Sequence, residues 1–326
     1  MRRTVRTPDG GRLAVEEWGD PAGWPILAHH GTPSSRRATF HGRWVRDAAE
    51  RGLRLISYDR PGYGDSSPRP GRTVADTAAD VRAICAELDI DRLGTWGFSG
   101  GGPHALACAA LLPDLVTAAA VLAGMAPFEA EGLDWFADMY RDDVDDTHLY
   151  LTDPVAARKK MDRDREEFLL AATDDAVGEA WTPTRDDEAA TLGRYHRFLS
   201  SCRAAGLAPG IEGWWDDSGT QVRPWGFDLA DIAVPVLLMY GRRDVFVPSG
   251  HGEWLARHVP GAEVRWFDDD GHGTLALKRL PDAHAWLAER SRHRNAGSGQ
   301  RGGHRVEAGR DGEDRAGPAR LDRSGR

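Results

Sequence analysis

Leu93-Gly94-Thr95-Trp96-Gly97-Phe98-Ser99-Gly100-Gly101-Gly102-Pro103-His104-Ala105-Leu106-Ala107-Cys108 passes from a short apolar run, through a glycine-flanked serine, into a segment of small residues. A strand that turns abruptly into a helix presents the residue at the turn to whatever lies beyond the sheet. A serine hydroxyl is a weak nucleophile, so it needs such a position, where a base can take its proton and backbone N–H groups can receive an oxyanion. Gly97 and Gly101 carry no Cβ and leave room for the sharp turn around Ser99. The pattern G-x-S-x-G alone means little in a chain of 326 residues with 38 glycines. Its weight comes from the order strand, turn, helix.

The same alternation extends in both directions. Thr4 to Arg6 and Leu13 to Trp18 flank Pro8-Asp9-Gly10-Gly11 and read as a hairpin. Pro25 to Ala28 and Leu53 to Tyr58 read as strands, with a crossover helix over Trp44 to Glu50 between them. A helix over Thr73 to Leu88 follows, with Thr73 and Asp76 spaced for a capping box and Val81, Ile84, Cys85 and Leu88 on one face. After the serine come a buried strand, Ala118 to Leu122, then later Val234 to Tyr240, a helix over Gly252 to His258, a strand Glu263 to Phe267 and a helix Pro281 to Arg290. Strands and helices alternating in this way predict an α/β fold, a mostly parallel sheet covered on both faces.

Between residues 125 and 230 the rhythm breaks into acidic and aromatic stretches. Leu133 to Tyr140, Val155 to Leu170 and Glu188 to Ala204 are the helices expected there, and an insertion this long in a compact domain reads as a lid. The predicted core is 1–124 plus 231–292, the lid 125–230. From 293 to 326 the chain is Gly, Arg, Asp and Glu with almost nothing apolar, a composition expected to stay disordered.

A formal charge of −9 argues against nucleic acid as a partner, since a polyanion needs a basic face. Cys85, Cys108 and Cys202 are scattered, without metal-ligand spacing, and imply neither a disulfide framework nor a metal site. The basic start Met1 to Pro8 leads into no apolar segment, and no stretch reaches spanning length, so the expectation is a cytoplasmic protein that needs no membrane.

Candidate partners for Ser99 lie further on. Asp244, in Gly241-Arg242-Arg243-Asp244-Val245, follows one late strand, and His272, in Asp270-Gly271-His272-Gly273, follows the next. His30-Gly31-Thr32-Pro33 follows the third strand, and Asp59-Arg60-Pro61-Gly62-Tyr63-Gly64-Asp65-Ser66 follows the fourth. Over residues 4 to 292 these four ordered motifs resemble the α/β-hydrolase fold superfamily. The resemblance implies a helical lid before the last strands and a serine hydrolase with Ser99 as nucleophile, His272 as general base and Asp244 as its orienting acid. It also implies an oxyanion hole made by the backbone N–H groups of Thr32 and Gly100, and no cofactor.

Asp268, Asp269 and Asp270 read as a solvated turn, and Asp59 with Arg60 as an ion pair to the neighbouring loop. His29 and His30 read as residues that orient the oxyanion loop, and Cys108 as a small core residue. His104, Trp135, Trp214 and Trp215 are candidates for the wall of an apolar substrate pocket, with lid-to-core packing as the other role open to them. A serine rather than an aspartate at the nucleophile position argues against dehalogenases and epoxide hydrolases of the superfamily. The expected partner is a small acyl compound, first of all a carboxylic ester. Other readings stay open: carbon–carbon hydrolysis, cofactor-free haloperoxidase or perhydrolase chemistry, and a non-catalytic binding protein. A proline iminopeptidase-like aminopeptidase would use the acidic lid to hold an amino group. Against it, its H-G-G-P-G and G-G-S-W-G motifs differ from His30-Gly31-Thr32-Pro33 and Gly97-Phe98-Ser99-Gly100-Gly101.

Overall fold

β-Branched and leucine-rich runs bounded by glycine or aspartate form the strands, and they assemble into one sheet. The computed structural model of the chain describes residues 1–172 and 188–298, the side chains of 188–192 and 292–298 excepted. The strands are β1 Arg2–Arg6, β2 Arg12–Gly19, β3 Trp24–His29, β4 Leu53–Tyr58, β5 Leu93–Phe98, β6 Val116–Leu122, β7 Val236–Gly241 and β8 Glu263–Phe267. Their order across the sheet is β1-β2-β4-β3-β5-β6-β7-β8. The first two strands pair antiparallel, β2 pairs antiparallel with β4, and every pair from β4 onward is parallel.

Parallel strands need crossovers, and the crossovers supply the flanking layers. They include α1 Gly42–Glu50, α2 Thr77–Leu88, α3 Gly102–Leu111, α8 Ser249–His258 and, after the last strand, α9 His272–Ser298. In α3 every residue from Gly102 to Ala110 is buried. Its glycine and alanines bring the helix axis close to the sheet, and a Cβ on Gly102 would stand 2.6 Å from the Gly124 Cα. All seven residues of β6 are buried as well, as expected of a central parallel strand.

Among the described residues four α-helices enter between β6 and β7: α4 Arg141–Thr152, α5 Pro154–Ala171, α6 Glu188–Leu207 and α7 Glu212–Val222. The expected helix over Leu133 to Tyr140 is instead a series of turns. Asp138 takes a left-handed φ of 64°, and Trp135 leaves the helical path to pack its ring on His251 and donate its indole N–H to the Ala126 carbonyl at 3.0 Å. Asp142 and Asp143 then supply acidic residues in the first turn of α4. Helix α7 carried no sequence expectation.

Two boundaries also moved. Helix α2 begins at Thr77, one turn late, because Asp76 accepts from the Thr73 N–H and hydroxyl at 2.7 and 3.0 Å and closes a turn before the helix. The last helix begins at His272, nine residues early, tolerates Pro281 in its interior and runs to Ser298, inside the segment 293–326 expected as a tail. The rest of that expected tail, 299–326, lies outside the described residues. No helix among the described residues is long and apolar enough to cross a membrane.

Candidate active site

In a parallel sheet the loops leaving the C-terminal ends of the strands converge on one edge, where ligands bind. Here that edge receives the His30–Pro33 loop from β3, Ser99 from β5, Asp244 from β7 and His272 after β8. Ser99 has φ 54°, a left-handed conformation that costs a non-glycine residue about 1–2 kcal/mol. Its neighbours must be glycine: a Cβ on Gly97 would overlap the Gly101 carbonyl, and one on Gly101 would overlap the His29 carbonyl.

Asp244 and His272 meet side chain to side chain. His272 Nδ1 lies 2.7 Å from Asp244 Oδ2, while Asp244 Oδ1 accepts the backbone N–H groups of Phe246 and Val247, each at 2.9 Å. The carboxylate is therefore buried and fixed, and it holds the ring so that Nε2 is left for the cavity. Phe98 and Phe246 flank the imidazole at 4.7 and 5.4 Å between ring centres. Of the rival carboxylates, Asp269 pairs with Arg243 and Asp270 with Arg279. Asp270 is buried rather than solvated, because its backbone packs against Gly241 and Arg279 covers its side chain. Ser99 and His272 line the same cavity. No hydrogen bond joins Ser99 Oγ to a described residue, a looseness common before substrate is bound.

The third component is the β3 loop. A Cβ on Gly100 would stand 2.8 Å from the Thr32 Cβ and 3.4 Å from the Thr32 nitrogen, so the Thr32 and Gly100 backbones lie side by side next to Ser99. The Thr32 N–H has no acceptor among the described residues, which leaves it available to an anion. The Thr32–Pro33 peptide bond is cis. Around the loop, His30 Nδ1 lies 2.8 Å from the Gly31 carbonyl, and its Nε2 accepts the Arg60 backbone N–H at 3.3 Å. Burial, with Arg60 alongside, holds the His30 pKa well below its ordinary value, so it is a neutral brace.

Arg60 bears on this loop from one side. Its guanidinium donates to the carbonyls of His30 and Gly31 at 2.5 and 3.2 Å and to Thr32 Oγ1 at 3.0 Å. On its other side it pairs with Asp217 of α7 through contacts of 3.2 and 2.5 Å. Asp217 also accepts from Thr32 Oγ1 at 2.6 Å, from Tyr63 at 2.9 Å and from Arg72. Burial raises the carboxyl pKa, but Arg60 and Arg72 outweigh it and hold Asp217 well below the usual range. Asp59 turns away to Arg36, so the two neighbours of the β4 turn brace the β3–α1 connection at different points.

The cavity measures about 1710 Å³, above the ~300–1,000 Å³ of ordinary small-molecule sites, so its polar groups say more about a ligand than its size. Trp135 and Trp214 line it; His104 and Trp215 do not. His104 is buried in the core with Nδ1 2.7 Å from Thr77 Oγ1, and burial holds its pKa well below normal. Trp215 spends its faces on Tyr150 and Arg158.

Sequence reasoning passed over two cavity or loop residues and read a third, Asp143, only as a member of one of the lid's acid pairs. Asp217 is one, and no local pattern sets it apart from Asp216. Asp143 lines the cavity, and burial pushes its carboxyl up to about 6 against the pull of His272. Arg203 of α6 is the other residue passed over. It lines the cavity with its guanidinium 4.4 Å from the Phe168 ring centre, its Nε enclosed without an acceptor and no ion pair to a described residue.

A strained serine, an aspartate-bound histidine and a braced amide loop at the C-terminal edge of a mostly parallel sheet are the layout of an α/β hydrolase. The chain belongs to the alpha/beta hydrolase fold family, whose model matches residues 25–278. It is 25% identical over 285 residues to a 2-hydroxy-6-oxononadienedioate/2-hydroxy-6-oxononatrienedioate hydrolase of Cupriavidus pinatubonensis, covering 83% of this chain and 88% of that one. It is 28% identical to a non-heme chloroperoxidase of Streptomyces lividans, covering 84% and 94%. Among solved structures, an esterase from Exiguobacterium antarcticum superposes with a TM-score of 0.64 at 20% identity, covering 89% of this chain and all of that one.

Proposed function

We propose that the protein is a serine hydrolase that cleaves a small acyl substrate, in the first instance a carboxylic ester. The observation that carries this reading is the Asp244–His272 hydrogen bond of 2.7 Å on the same cavity as a serine held at φ 54°. In this mechanism His272 Nε2 takes the Ser99 proton as Oγ attacks the acyl carbon, and the carbonyl oxygen becomes an oxyanion received by the Thr32 and Gly100 N–H groups. Each such donor contributes about 3 kcal/mol to the transition state. Collapse breaks the ester C–O bond and the alcohol leaves with the proton from His272. Water, activated by the same imidazole, then hydrolyses the acyl-serine. Asp244 stays ionised and stabilises the imidazolium.

The test is labelling by a fluorophosphonate together with hydrolysis of short p-nitrophenyl esters. Wild type should show both, and Ser99→Ala should lose both, with kcat down at least about 10⁴-fold. A wild-type protein that shows neither, or a variant that keeps its rate, sinks the proposal.

A second reading has one observation in its favour. The C. pinatubonensis relative is named for a dioate, and Arg203 offers the cavity a guanidinium without an ion-pair partner among the described residues. A carboxylate-bearing substrate would satisfy it. Under this reading the same serine centre would act on a carbon–carbon bond, and Arg203→Gln would raise KM for carboxylate-bearing substrates while leaving neutral esters unchanged.

A further inference from the structure

The Thr32 amide is aimed from within its loop by His30, whose Nδ1 lies 2.8 Å from the Gly31 carbonyl, and from outside it by Arg60 and Asp217. A peptide unit is planar, with its C=O and N–H pointing in opposite directions, so whatever fixes the Gly31 carbonyl also fixes the direction of the Thr32 N–H. That carbonyl is taken by Arg60 Nη2 at 3.2 Å, and the same nitrogen reaches Thr32 Oγ1 at 3.0 Å. Both contacts draw one side of the peptide toward Arg60 and leave the N–H facing away from it. Thr32 Oγ1 in turn donates to Asp217 Oδ2 at 2.6 Å. A guanidinium on a flexible stem has many ways to point, and here its orientation is set by both oxygens of Asp217.

Asp217 is not part of the sheet framework. It lies on α7, inside the insertion between β6 and β7, 157 residues along the chain from Arg60. Its side chain is 1% exposed. A buried carboxylate with this many donors is a rigid anchor, since every alternative orientation would leave a buried charge unmatched.

We propose that Asp217 is the positioning residue of the oxyanion hole: from the insertion it orients Arg60 and Thr32 so that the Thr32 N–H faces the acyl oxygen. This rests on the serine hydrolase reading above. It makes docking of α7 a condition for stabilising the transition state, beyond the part that its Trp214 takes in the cavity wall.

The experiment compares Asp217→Asn with wild type and with Glu212→Gln, an exposed change on the same helix. Circular dichroism and thermal unfolding first establish that each variant is folded. Steady-state hydrolysis of p-nitrophenyl acetate and inhibition by a phenylboronic acid, whose serine adduct places an oxygen in the hole, are then measured. Asp217→Asn should lower kcat about 100-fold, the typical cost of one misplaced oxyanion donor. KM should stay within about threefold of wild type, the boronate Ki should rise in step with the loss of kcat, and Glu212→Gln should match wild type. A purely structural Asp217 would lower the unfolding temperature without the matched change in kcat and Ki. If Asp217→Asn does not fold, Thr32→Val, which removes one hydroxyl from the network, takes its place, with an expected kcat loss of about tenfold and the same parallel in Ki. The proposal is overturned if the folded variant keeps kcat within threefold, or if its loss falls on KM alone. Wild type inert toward both ester and fluorophosphonate would defeat the hydrolase reading instead, so the two failures are distinct.

Discussion

The sheet framework and the insertion wall the same cavity but are built on opposite terms. Strands β5 to β7 are almost wholly buried, and the loops leaving them are held by glycines that no other residue could replace. In the insertion, α4 has no buried residue and the eighteen-residue α5 has two, Ala157 and Met161. Its attachments include Tyr195 against Trp44 and His41, Ser35 Oγ on the Cys202 carbonyl, the Gly64 N–H on the Gly206 carbonyl and Asp217 on Arg60. The difference teaches where each property resides. The framework fixes Ser99, Asp244 and His272, while the insertion, with little core of its own, contributes charge, aromatic surface and a few strong attachments.

Four variants would break or sharpen that contrast. The largest effect is expected at Asp244→Asn, on the framework side: loss of the carboxylate frees the wrong imidazole nitrogen, and kcat should fall about 10⁴-fold with little change in KM. A rate near that of wild type would move the acid to another carboxylate and blur the division. On the insertion side, Tyr195→Ala should act on stability first. Removing a buried aromatic ring costs about 3–5 kcal/mol, read as a lower urea midpoint, and the loss should loosen α6 from Trp44. Tyr195→Phe should be neutral or stabilising, because the Tyr195 hydroxyl is buried without a partner among the described residues. An equal cost for both variants would mean that the hydroxyl, not the ring, is the attachment.

The smallest effect is pH-dependent. Asp143 has its carboxyl raised from 3.8 to about 6 by burial, so between these values the folded state holds a proton that the unfolded state has lost. Below pH 3.8 both states are protonated and the shift contributes nothing. As pH rises through 6, the full cost of the half-buried charge appears, about 2–3 kcal/mol. Asp143→Asn should therefore gain stability over wild type progressively from pH 4 to 7 in urea unfolding. A constant offset across that range would show that Asp143 is ionised throughout.

The framework was legible because its signals are local. Leu53 to Tyr58 and Glu263 to Phe267 are strands with the boundaries their composition implies, and Ser99, Asp244 and His272 stand directly after strands, so chain order locates them. The insertion was legible in part: Val155 to Leu170 and Glu188 to Ala204 are the bodies of α5 and α6, while α4 and α7 lack the apolar period that marks a helix and went unread. Leu133 to Tyr140 looked helical on aromatic content, yet those rings are spent on Phe128 and His251. Trp214 and Trp215 carried the same signal and went different ways, one to the cavity and one to Arg158. Asp217 was illegible for a stricter reason: its partners lie on the β4 turn and the β3 loop, and adjacency to Asp216 in sequence gives no hint of either.

Among the described residues, Arg60 and Arg72 have no ion-pair partner other than Asp217, and both guanidinium groups are buried. The insertion is therefore not a detachable module. Excising it, or transplanting one from a relative, would strand two cations beneath the surface at about 3–5 kcal/mol for the broken pair. A graft between scaffolds of this kind would need to carry one carboxylate at the position of Asp217, whatever substrate its remaining side chains were chosen to admit.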